Sequence, residues 1–350
     1  MDSRKRLELH AVPCGMPLSG ALDRLNSLPS GASMTLVAVD DGRHVRGTVT
    51  DGDLRRALVR GVPLTAPVSE AMHTSFGHVE RGDEDVEKIR SLRLRGIRLI
   101  PVTDPDGRLT DIIDTVETPN RLPLGAILMA GGKGERLRPL TLTTPKPLLP
   151  VGDRAIIDYN IGALHRMGVG NVSVTVNYMA EKLEAHFAAS EPRVRTVRES
   201  EPMGTIGSAA LCDIPAEGDT VVMNADLLTT VSFEDLYLHH RREGADITIA
   251  AIPYNVSVPY AILTTEGSAV RGLEEKPSYA YYANAGIYVI SNRLLRALPG
   301  SGRTDATDFI EQAIADGHRV SYFPISGTWI DIGSPADYAH ACELMNFSKD

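Results

Sequence analysis

An apolar segment at residues 124–129 runs directly into a turn that contains three glycines. These glycines are Gly131, Gly132 and Gly134. Glycine has no Cβ atom, so the backbone N–H groups of such a turn can approach phosphate oxygens, and Arg136 just beyond it could neutralise their charge. The turn lacks the G-x-x-x-x-G-K-[ST] pattern of a Walker A loop, and Leu137 occupies the third glycine position of a dinucleotide fingerprint. The pattern therefore indicates an anion cradle of another kind.

Lysine is scarce in this chain, which has seven lysines among its 36 basic residues, and one of them lies between two prolines. Pro145 and Pro147 stiffen the backbone around Lys146, so this cation is expected to be held in place. Asp226 ends an apolar segment typical of a buried strand, and a carboxylate there could hold Mg²⁺. Phosphoryl transfer requires an anion cradle, cations and metal-binding carboxylates. Each feature alone is more often structural, so the interpretation depends on their joint occurrence.

The stretch GGKGERLRPLTLTTPKPLLPVG, residues 131–152, resembles the opening signature of sugar-phosphate nucleotidyltransferases. Further segments resemble that family's motifs in the same order. They are ESEPMGTIG at 199–207, VVMNAD at 221–226, EEKP at 274–277, NAGIYV at 284–289 and WIDIGSPADY at 329–338. Met203 replaces the family's usual leucine, and Ala225 stands where glycine is commoner. The resemblance spans about residues 123–340.

The resemblance implies a role for each matched residue. The residues implied to bind the nucleotide are Ala130, Gly131, Gly132, Gly134, Glu199, Gly204 and Thr205. Those implied to bind the sugar phosphate are Glu275, Lys276, Asn284 and Gly286. By the same resemblance, Arg136 would reach the β- and γ-phosphates, and Lys146 would stabilise charge at the α-phosphorus. Asp226 and Asp331 would hold Mg²⁺.

The implied reaction is attack of a sugar 1-phosphate on the α-phosphorus of a nucleoside triphosphate, with release of pyrophosphate. The loop around Gly204 and Thr205 resembles that of guanylyltransferases acting on mannose-like or heptose 1-phosphates, which favours GTP, although UTP- and dTTP-dependent relatives share much of it. The sugar, or sugar-like cyclitol, cannot be read from the sequence. A metal-dependent glycosyltransferase and a regulatory protein without catalysis are the alternatives; Lys146 and the glycine-rich opening argue against the first, and intact candidates for every role argue against the second.

Strands and helices alternate between these motifs. Residues 172–176 and 247–252 have β-type patterns, whereas residues 156–167 and 308–315 have helical spacing. Such alternation predicts an α/β fold, a Rossmann-like, three-layer mixed sheet whose ligands bind at the carboxyl ends of the strands. This domain is expected to occupy residues 121–350.

Residues 1–120 are expected to form a separate regulatory domain, because a strand, turn and helix pattern occurs there twice at a distance of about 60 residues. The segment GTVTDGDL, residues 47–54, resembles the end of a CBS motif, a βαββα unit that pairs in tandem and often binds an adenine nucleotide. That resemblance implies Thr50 and Asp53 as ligand residues. The second copy has Asp114 and Glu117 there, and an acid would repel phosphate. A docking or dimerisation module without a ligand is an open alternative.

Composition excludes several other classes of protein. The net charge of −9 argues against nucleic acid or an anionic membrane as a partner, and no run of about 18 apolar residues is present. Three cysteines without a paired spacing favour a reducing compartment, so a cytoplasmic location is expected. The expected partners are a nucleoside triphosphate, a sugar 1-phosphate, an adenine-nucleotide effector and further copies of the chain. His239 and His240 are expected to be exposed helix residues.

Overall fold

The computed structural model describes residues 3–82 and 85–347. The chain divides into two compact units, Met1–Arg121 and Leu122–Asp350. Each unit contains its own clusters of buried apolar side chains, such as the one around Leu36 and Leu54 in the first and the one around Val222 and Ile290 in the second. Within the described residues, no helix is long and apolar enough to cross a membrane.

In the first unit the helices are α1 Ser3–His10, α2 Leu18–Asn26, α3 Asp51–Val59 and α4 Val86–Leu94. The strands are β1 Ala11–Pro13, β2 Thr35–Val39, β3 Val45–Thr50, β4 Val79–Glu80, β5 Leu99–Thr103 and β6 Leu109–Asp114. They form two three-stranded sheets, β1-β2-β3 and β4-β5-β6. In each sheet the first two strands are parallel, the last two are antiparallel, and a helix connects the first two along the chain.

The two sheets are therefore copies of one β-α-β-β unit, as the sequence repeat predicts. Backbone hydrogen bonds join them symmetrically: Val45 N–H donates to Gly107 C=O at 3.0 Å, and Leu109 N–H donates to Arg43 C=O at 2.8 Å. These four residues occupy equivalent positions in the two copies. The copies differ after the last strand, where α3 follows β3 but the described chain has no helix directly after β6. Helix α1 contacts β6 instead.

In the second unit the helices are α5 Ile156–Arg166, α6 Ala180–Phe187, α7 Phe233–Glu243, α8 Asn292–Leu295, α9 Ala306–Ala315 and α10 Pro335–Phe347. The strands β7–β13 are Leu124–Met129, Pro150–Val151, Arg154–Ala155, Asn171–Val176, Val194–Arg198, Asp219–Asn224 and Leu227–Thr229. The strands β14–β19 are Ile247–Ser257, Ile262–Glu266, Ala269–Glu274, Ser278–Ser291, Val320–Pro324 and Trp329–Asp331. The main sheet described for this unit has the order β11-β10-β7-β12-β17-β14-β18.

This sheet is mixed, because β17 runs antiparallel to both of its neighbours while the other strands are parallel to one another. Helices cover both of its faces. Ile247 of β14 packs in the same apolar cluster as Ile310 of α9, whereas the next residue, Thr248, points to the other face and bonds to His240 of α7 at 2.8 Å. The predicted three-layer α/β architecture is thus present.

The expectation that His240 is exposed is wrong. Its side chain is buried and also lies 3.4 Å from Asp219 Oδ1. Helix α7 places His240 against β14, where Thr248 and Asp219 satisfy both ring nitrogens. Its neighbour His239 is partly buried and bonds to Ser321 at 3.0 Å.

Candidate functional site

The glycine-rich turn and Asp226 leave the main sheet side by side. β7 and β12 are parallel neighbours whose register ends with Asn224 opposite Met129, and Ala225 N–H donates to Met129 C=O at 3.2 Å. The turn follows β7, and Asp226 follows β12. Both segments therefore begin at the carboxyl edge of the sheet, where ligands of open α/β sheets bind.

A lysine and two carboxylates form the charged centre of this region. Lys146 Nζ contacts Asp226 Oδ2 directly and lies 3.7 Å from Asp331 Oδ1. The two aspartates are far apart along the chain but are brought together by the short antiparallel pair β13–β19, in which Leu227 is opposite Asp331. The side chain of Lys146 is only 10% exposed, so its charge is poorly screened by water.

The electrostatics of the charged centre fit a divalent cation. Burial raises the pKa of Asp331, and the nearby Asp226 carboxylate raises it further, while Lys146 and Arg136 oppose the shift. Asp226 Oδ1 is buried and has no hydrogen-bond partner in the described structure. Two close carboxylates with an unsatisfied oxygen match the one or two carboxylates that usually bind Mg²⁺ together with substrate phosphates. The described residues contain no group of three or more histidine, cysteine or acidic side chains that would form an all-protein metal cage.

Gly134 allows the glycine turn to pack directly on the stem of Lys146. Its φ of +60° lies in the left-handed region, and an added Cβ would lie 3.0 Å from Lys146 Cβ and 3.0 Å from Thr141 Cγ2. The Thr141 hydroxyl donates a hydrogen bond to Gly134 C=O at 2.8 Å, which also holds the turn in this position. At Gly132, by contrast, an added Cβ would meet no atom within 4 Å. The middle of the turn is therefore open to a ligand.

Gly131 links this turn to the segment at 199–207. An added Cβ at Gly131 would lie 2.8 Å from Glu199 Oε1. Glu199 is buried, and its other carboxylate oxygen accepts a hydrogen bond from Met203 N–H at 3.3 Å. Ala130 is buried as well, and its N–H donates to Thr175 C=O at 2.9 Å, so that N–H completes the sheet and is not free for phosphate.

Gly204 and Thr205 fasten the same segment to the start of α9. Thr205 Oγ1 accepts a hydrogen bond from Ala306 N–H at 2.8 Å, and Thr205 N–H donates to Asp305 Oδ1 at 3.1 Å. Gly204 has a φ of +81°, and an added Cβ would lie 2.8 Å from the carbonyl carbon of Thr304. In this structure both residues hold the loop in place.

Gly204→Ala is expected to lower the free energy of unfolding of the second unit by about 3 kcal/mol, because it combines left-handed backbone strain with a backbone clash. Gly132→Ala is the matched control, since its Cβ has free space and its backbone is not left-handed. Urea denaturation of both variants measures the difference. Equal midpoints would contradict the packing described for Gly204.

Asn284 and Gly286 lie beside the strand end that leads to Asp226. Gly286 has a φ of +70°, and an added Cβ there would lie 2.5 Å from Asn224 Nδ2. Asn284 Oδ1 accepts from Gly286 N–H at 2.9 Å, and its Nδ2 donates to the Tyr288 hydroxyl at 2.9 Å. Asn284 is therefore held in one orientation near the end of β12.

Glu275 and Lys276 are not brought to the charged centre. They lie in the exposed turn between β16 and β17, and Lys276 has a φ of +45°. Among the described residues, no hydrogen bond or ion pair connects either side chain with Lys146, Asp226 or Asp331.

The structure also identifies contributors that the sequence interpretation did not select. Gly333 lies against the Arg136 guanidinium, since an added Cβ would be 3.2 Å from Arg136 Nη2. Tyr178 spans the glycine turn: its N–H donates to Gly131 C=O at 3.4 Å, and its hydroxyl donates to Thr141 C=O at 3.1 Å. Gly333 lies within the matched closing motif and could have been found there, whereas no pattern in the sequence marks Tyr178.

Comparison with known proteins decides the family. The sequence profile of the nucleotidyl transferase family matches residues 125–346, which is more than half of the chain. The chain belongs to the nucleotidyl transferase family. The matched region lies within the second unit and includes the glycine turn, Lys146, Asp226 and Asp331.

Curated members similar to this nucleotidyl transferase include two named for mannose 1-phosphate. The mannose-1-phosphate guanylyltransferase catalytic subunit beta of Danio rerio is 32% identical over 224 residues, covering 61% of this chain and 62% of the relative. The mannose-1-phosphate guanyltransferase of Schizosaccharomyces pombe is 31% identical over 225 residues, and the alignment covers 61% of this chain and 62% of that relative. The aligned part of the chain thus spans about three fifths of the length of these relatives.

Solved structures agree on the fold of this nucleotidyl transferase. HddC from Yersinia pseudotuberculosis, in a complex with GMP-PN, matches with a TM-score of 0.50 and 22% identity. The match covers 63% of this chain and 99% of that chain. At this identity the likeness concerns the α/β nucleotidyltransferase fold with its mixed sheet, and it leaves the substrates open.

Proposed function

We propose that the second unit is a guanylyltransferase that joins GTP to a sugar 1-phosphate and releases pyrophosphate. The observation that carries this proposal is the contact of Lys146 with both Asp226 and Asp331 beside an open glycine turn, in a member of the nucleotidyl transferase family. The names of the relatives favour GTP as the nucleotide and a mannose-like sugar.

The turn and its neighbours bind the triphosphate in this proposal. The space beside Gly132 is open, and in this proposal the backbone N–H groups of the turn cradle the phosphates there, as glycine turns at strand ends do. Arg136, held against Gly333, contacts the β- and γ-phosphates. The buried Glu199 packs against Gly131 of the turn, and in this proposal it borders the pocket for the base.

Asp226 and Asp331 would hold Mg²⁺, which would neutralise the triphosphate as charge shifts toward pyrophosphate. An oxygen of the sugar 1-phosphate forms a bond to the α-phosphorus, and the bond from that phosphorus to the bridging oxygen of pyrophosphate breaks. A phosphate monoester has a second pKa of about 6, so the attacking oxygen is already ionised at neutral pH and needs no protein base. Lys146 stabilises the negative charge on the α-phosphate oxygens in the transition state.

In this proposal Gly286, beside Asn224, and Asn284, which bonds to Gly286 N–H, border the site for the sugar phosphate. Glu275 and Lys276 take part only if the exposed β16–β17 turn approaches the charged centre when substrate binds.

Pyrophosphate release tests the proposed reaction. The full chain with Mg²⁺ is assayed with each common nucleoside triphosphate against a panel of hexose, heptose and cyclitol 1-phosphates. Release that requires GTP and a mannose-like 1-phosphate together is expected. Faster release with UTP or dTTP would overturn the base assignment, and transfer from a ready-made sugar nucleotide without pyrophosphate would favour a glycosyltransferase.

We also propose that the first unit is a tandem CBS pair that senses an adenine nucleotide. Thr50 and Asp53 cap the start of α3: Asp53 Oδ2 accepts from Thr50 N–H at 2.9 Å, and Thr50 Oγ1 accepts from Asp53 N–H at 3.2 Å. Burial opposes ionisation of Asp53, but the hydrogen bonds from Thr50 and Arg56 outweigh it and lower its pKa. In the second copy Asp114 is buried and bonded to Val116 N–H, so only the first copy is proposed to bind a nucleotide.

Thr50→Ala is expected to destabilise the first unit by about 1 kcal/mol through loss of the cap. We also expect AMP to raise the melting temperature of the wild-type chain and to have no such effect on Thr50→Ala. Ser232→Ala removes a comparable cap, since Ser232 Oγ accepts from Asp235 N–H at 3.1 Å in α7. That control should keep the response to AMP. If AMP, ADP and ATP leave the wild-type melting temperature unchanged, the sensor role fails and a docking module remains.

A further inference from the structure

Tyr178 connects the two ends of the glycine turn through a chain of hydrogen bonds. Its backbone N–H donates to Gly131 C=O at 3.4 Å, where the turn begins. Its hydroxyl donates to Thr141 C=O at 3.1 Å. The Thr141 hydroxyl in turn donates to Gly134 C=O at 2.8 Å, where the turn ends. One tyrosine and one threonine therefore hold the carbonyl groups at both ends of the turn.

These bonds also fix the direction of the backbone N–H groups in the turn. A trans peptide is planar, and its N–H points away from its C=O. The bond from Tyr178 to the Gly131 carbonyl therefore sets the direction of the Gly132 N–H. In the part of the chain that the structure describes, this N–H has no hydrogen-bond partner, and the space beside Gly132 is open. A cradle for phosphate needs unpaired N–H groups held in a fixed direction.

The fold places Tyr178 beside the turn. Strand β10 ends at Val176 and is the parallel neighbour of β7, so the residues that follow the two strands meet at one edge of the sheet. Met179 then has a φ of +52°, in the left-handed region that residues with a Cβ rarely adopt, and α6 begins directly after it. Backbone strain of this kind is concentrated at functional sites. The strained turn at Met179 thus points to a role for this segment in function.

We propose that Tyr178 is a positioning residue for the triphosphate: its hydroxyl, acting through Thr141, holds the glycine turn in the conformation that binds phosphate. This inference rests on the proposed function, because it takes the turn to be the phosphate site. Tyr178 itself needs no contact with substrate in this role. Loss of its hydroxyl should therefore weaken the binding of a triphosphate whether or not a base is attached to it, and should leave the KM for the sugar phosphate unchanged.

Calorimetric titration of the full chain with GTP and with inorganic triphosphate, each with Mg²⁺, tests the proposal. Tyr178→Phe should raise both dissociation constants about tenfold, the order expected for the loss of one hydrogen bond. Tyr159→Phe is the matched control, because the Tyr159 hydroxyl also donates to a backbone carbonyl, that of Val151, at 2.6 Å. Both variants should show a similarly small fall in melting temperature, but the control should keep the wild-type affinity.

A double variant tests whether Tyr178 acts through Thr141. Thr141→Val keeps the shape of the side chain but removes the hydroxyl that bonds to Gly134 C=O. Both substitutions interrupt the same chain of bonds, so the double variant should bind GTP about as weakly as the weaker of the two single variants. A double variant whose loss of affinity equals the product of the two single losses would contradict this path.

The outcomes separate this proposal from the proposed function. An unchanged dissociation constant in a folded Tyr178→Phe variant, or an equal loss in Tyr159→Phe, would overturn the role of Tyr178 and leave the proposed function standing. A wild-type chain that binds neither GTP nor inorganic triphosphate would overturn both. In steady-state assays, a higher KM for GTP with an unchanged KM for sugar phosphate would support the proposal, whereas an equal rise in both would contradict it.

Discussion

Asp226→Asn is expected to lower kcat about a thousandfold while the chain stays folded. The substitution keeps the shape of the side chain but removes the charge that faces Lys146 and would hold Mg²⁺. Its Oδ1 atom has no hydrogen-bond partner in the described structure, and Asp331 remains 3.7 Å from Lys146 to balance the lysine charge, so the chain should still fold. Steady-state pyrophosphate release at saturating substrates measures the loss, and a Mg²⁺ titration should show a higher requirement for the metal.

Asp219→Asn is the matched control for this prediction. Asp219 begins the strand β12 that Asp226 follows, so it lies at the opposite edge of the sheet, where it neighbours His240. The control should retain most of the activity even if its melting temperature falls slightly. Near-normal turnover in a folded Asp226→Asn variant would defeat the metal assignment.

Lys146→Met is expected to lower kcat by a factor of about 10² to 10³, because one cation that stabilises transition-state charge is lost. Lys146 is also one of two groups that lower the pKa of Asp331. Its loss should raise that pKa further, so the remaining activity should disappear at a higher pH as the solution is acidified. A pH profile of kcat with Mg²⁺ held constant measures both effects.

Two further variants sharpen the test of Lys146. Lys146→Arg should not restore activity, since the lysine stem is packed against Gly134 and leaves little room for a guanidinium group. Lys182→Met removes a lysine that contacts the backbone of Thr143 near the turn and should have a small effect. If Lys182→Met and Lys146→Met were equally impaired, the loss would reflect general charge and not the position of Lys146.

The sequence predicts much of this structure because local signals and tertiary packing agree. The strand predicted at 172–176 and the helix predicted at 156–167 match Asn171–Val176 and Ile156–Arg166 to within one residue at each end, because the apolar spacing marks both elements. Asp226 could be placed at a strand end from the apolar run before it. The glycine turn could be placed in the same way, and parallel strands bring such ends to one edge of a sheet.

Other parts of the structure depend on contacts that no local pattern encodes. The pairing of β13 with β19 brings Asp331 to Lys146, and without the family resemblance nothing in the sequence links those segments. Burial of His240 follows from the packing of α7 on β14. The extension of β14 to Ser257 was missed because its exposed half lacks the alternation of a half-buried strand.

The first measurement should identify the products formed by the full chain from GTP, mannose 1-phosphate and Mg²⁺ by mass spectrometry. The proposed function predicts a GDP-linked sugar and pyrophosphate in equal amounts, with neither formed when the sugar phosphate is omitted. Release of GDP and inorganic phosphate without incorporation of the sugar would contradict it, and so would absence of the linked product with every sugar phosphate and triphosphate while the folded chain binds GTP.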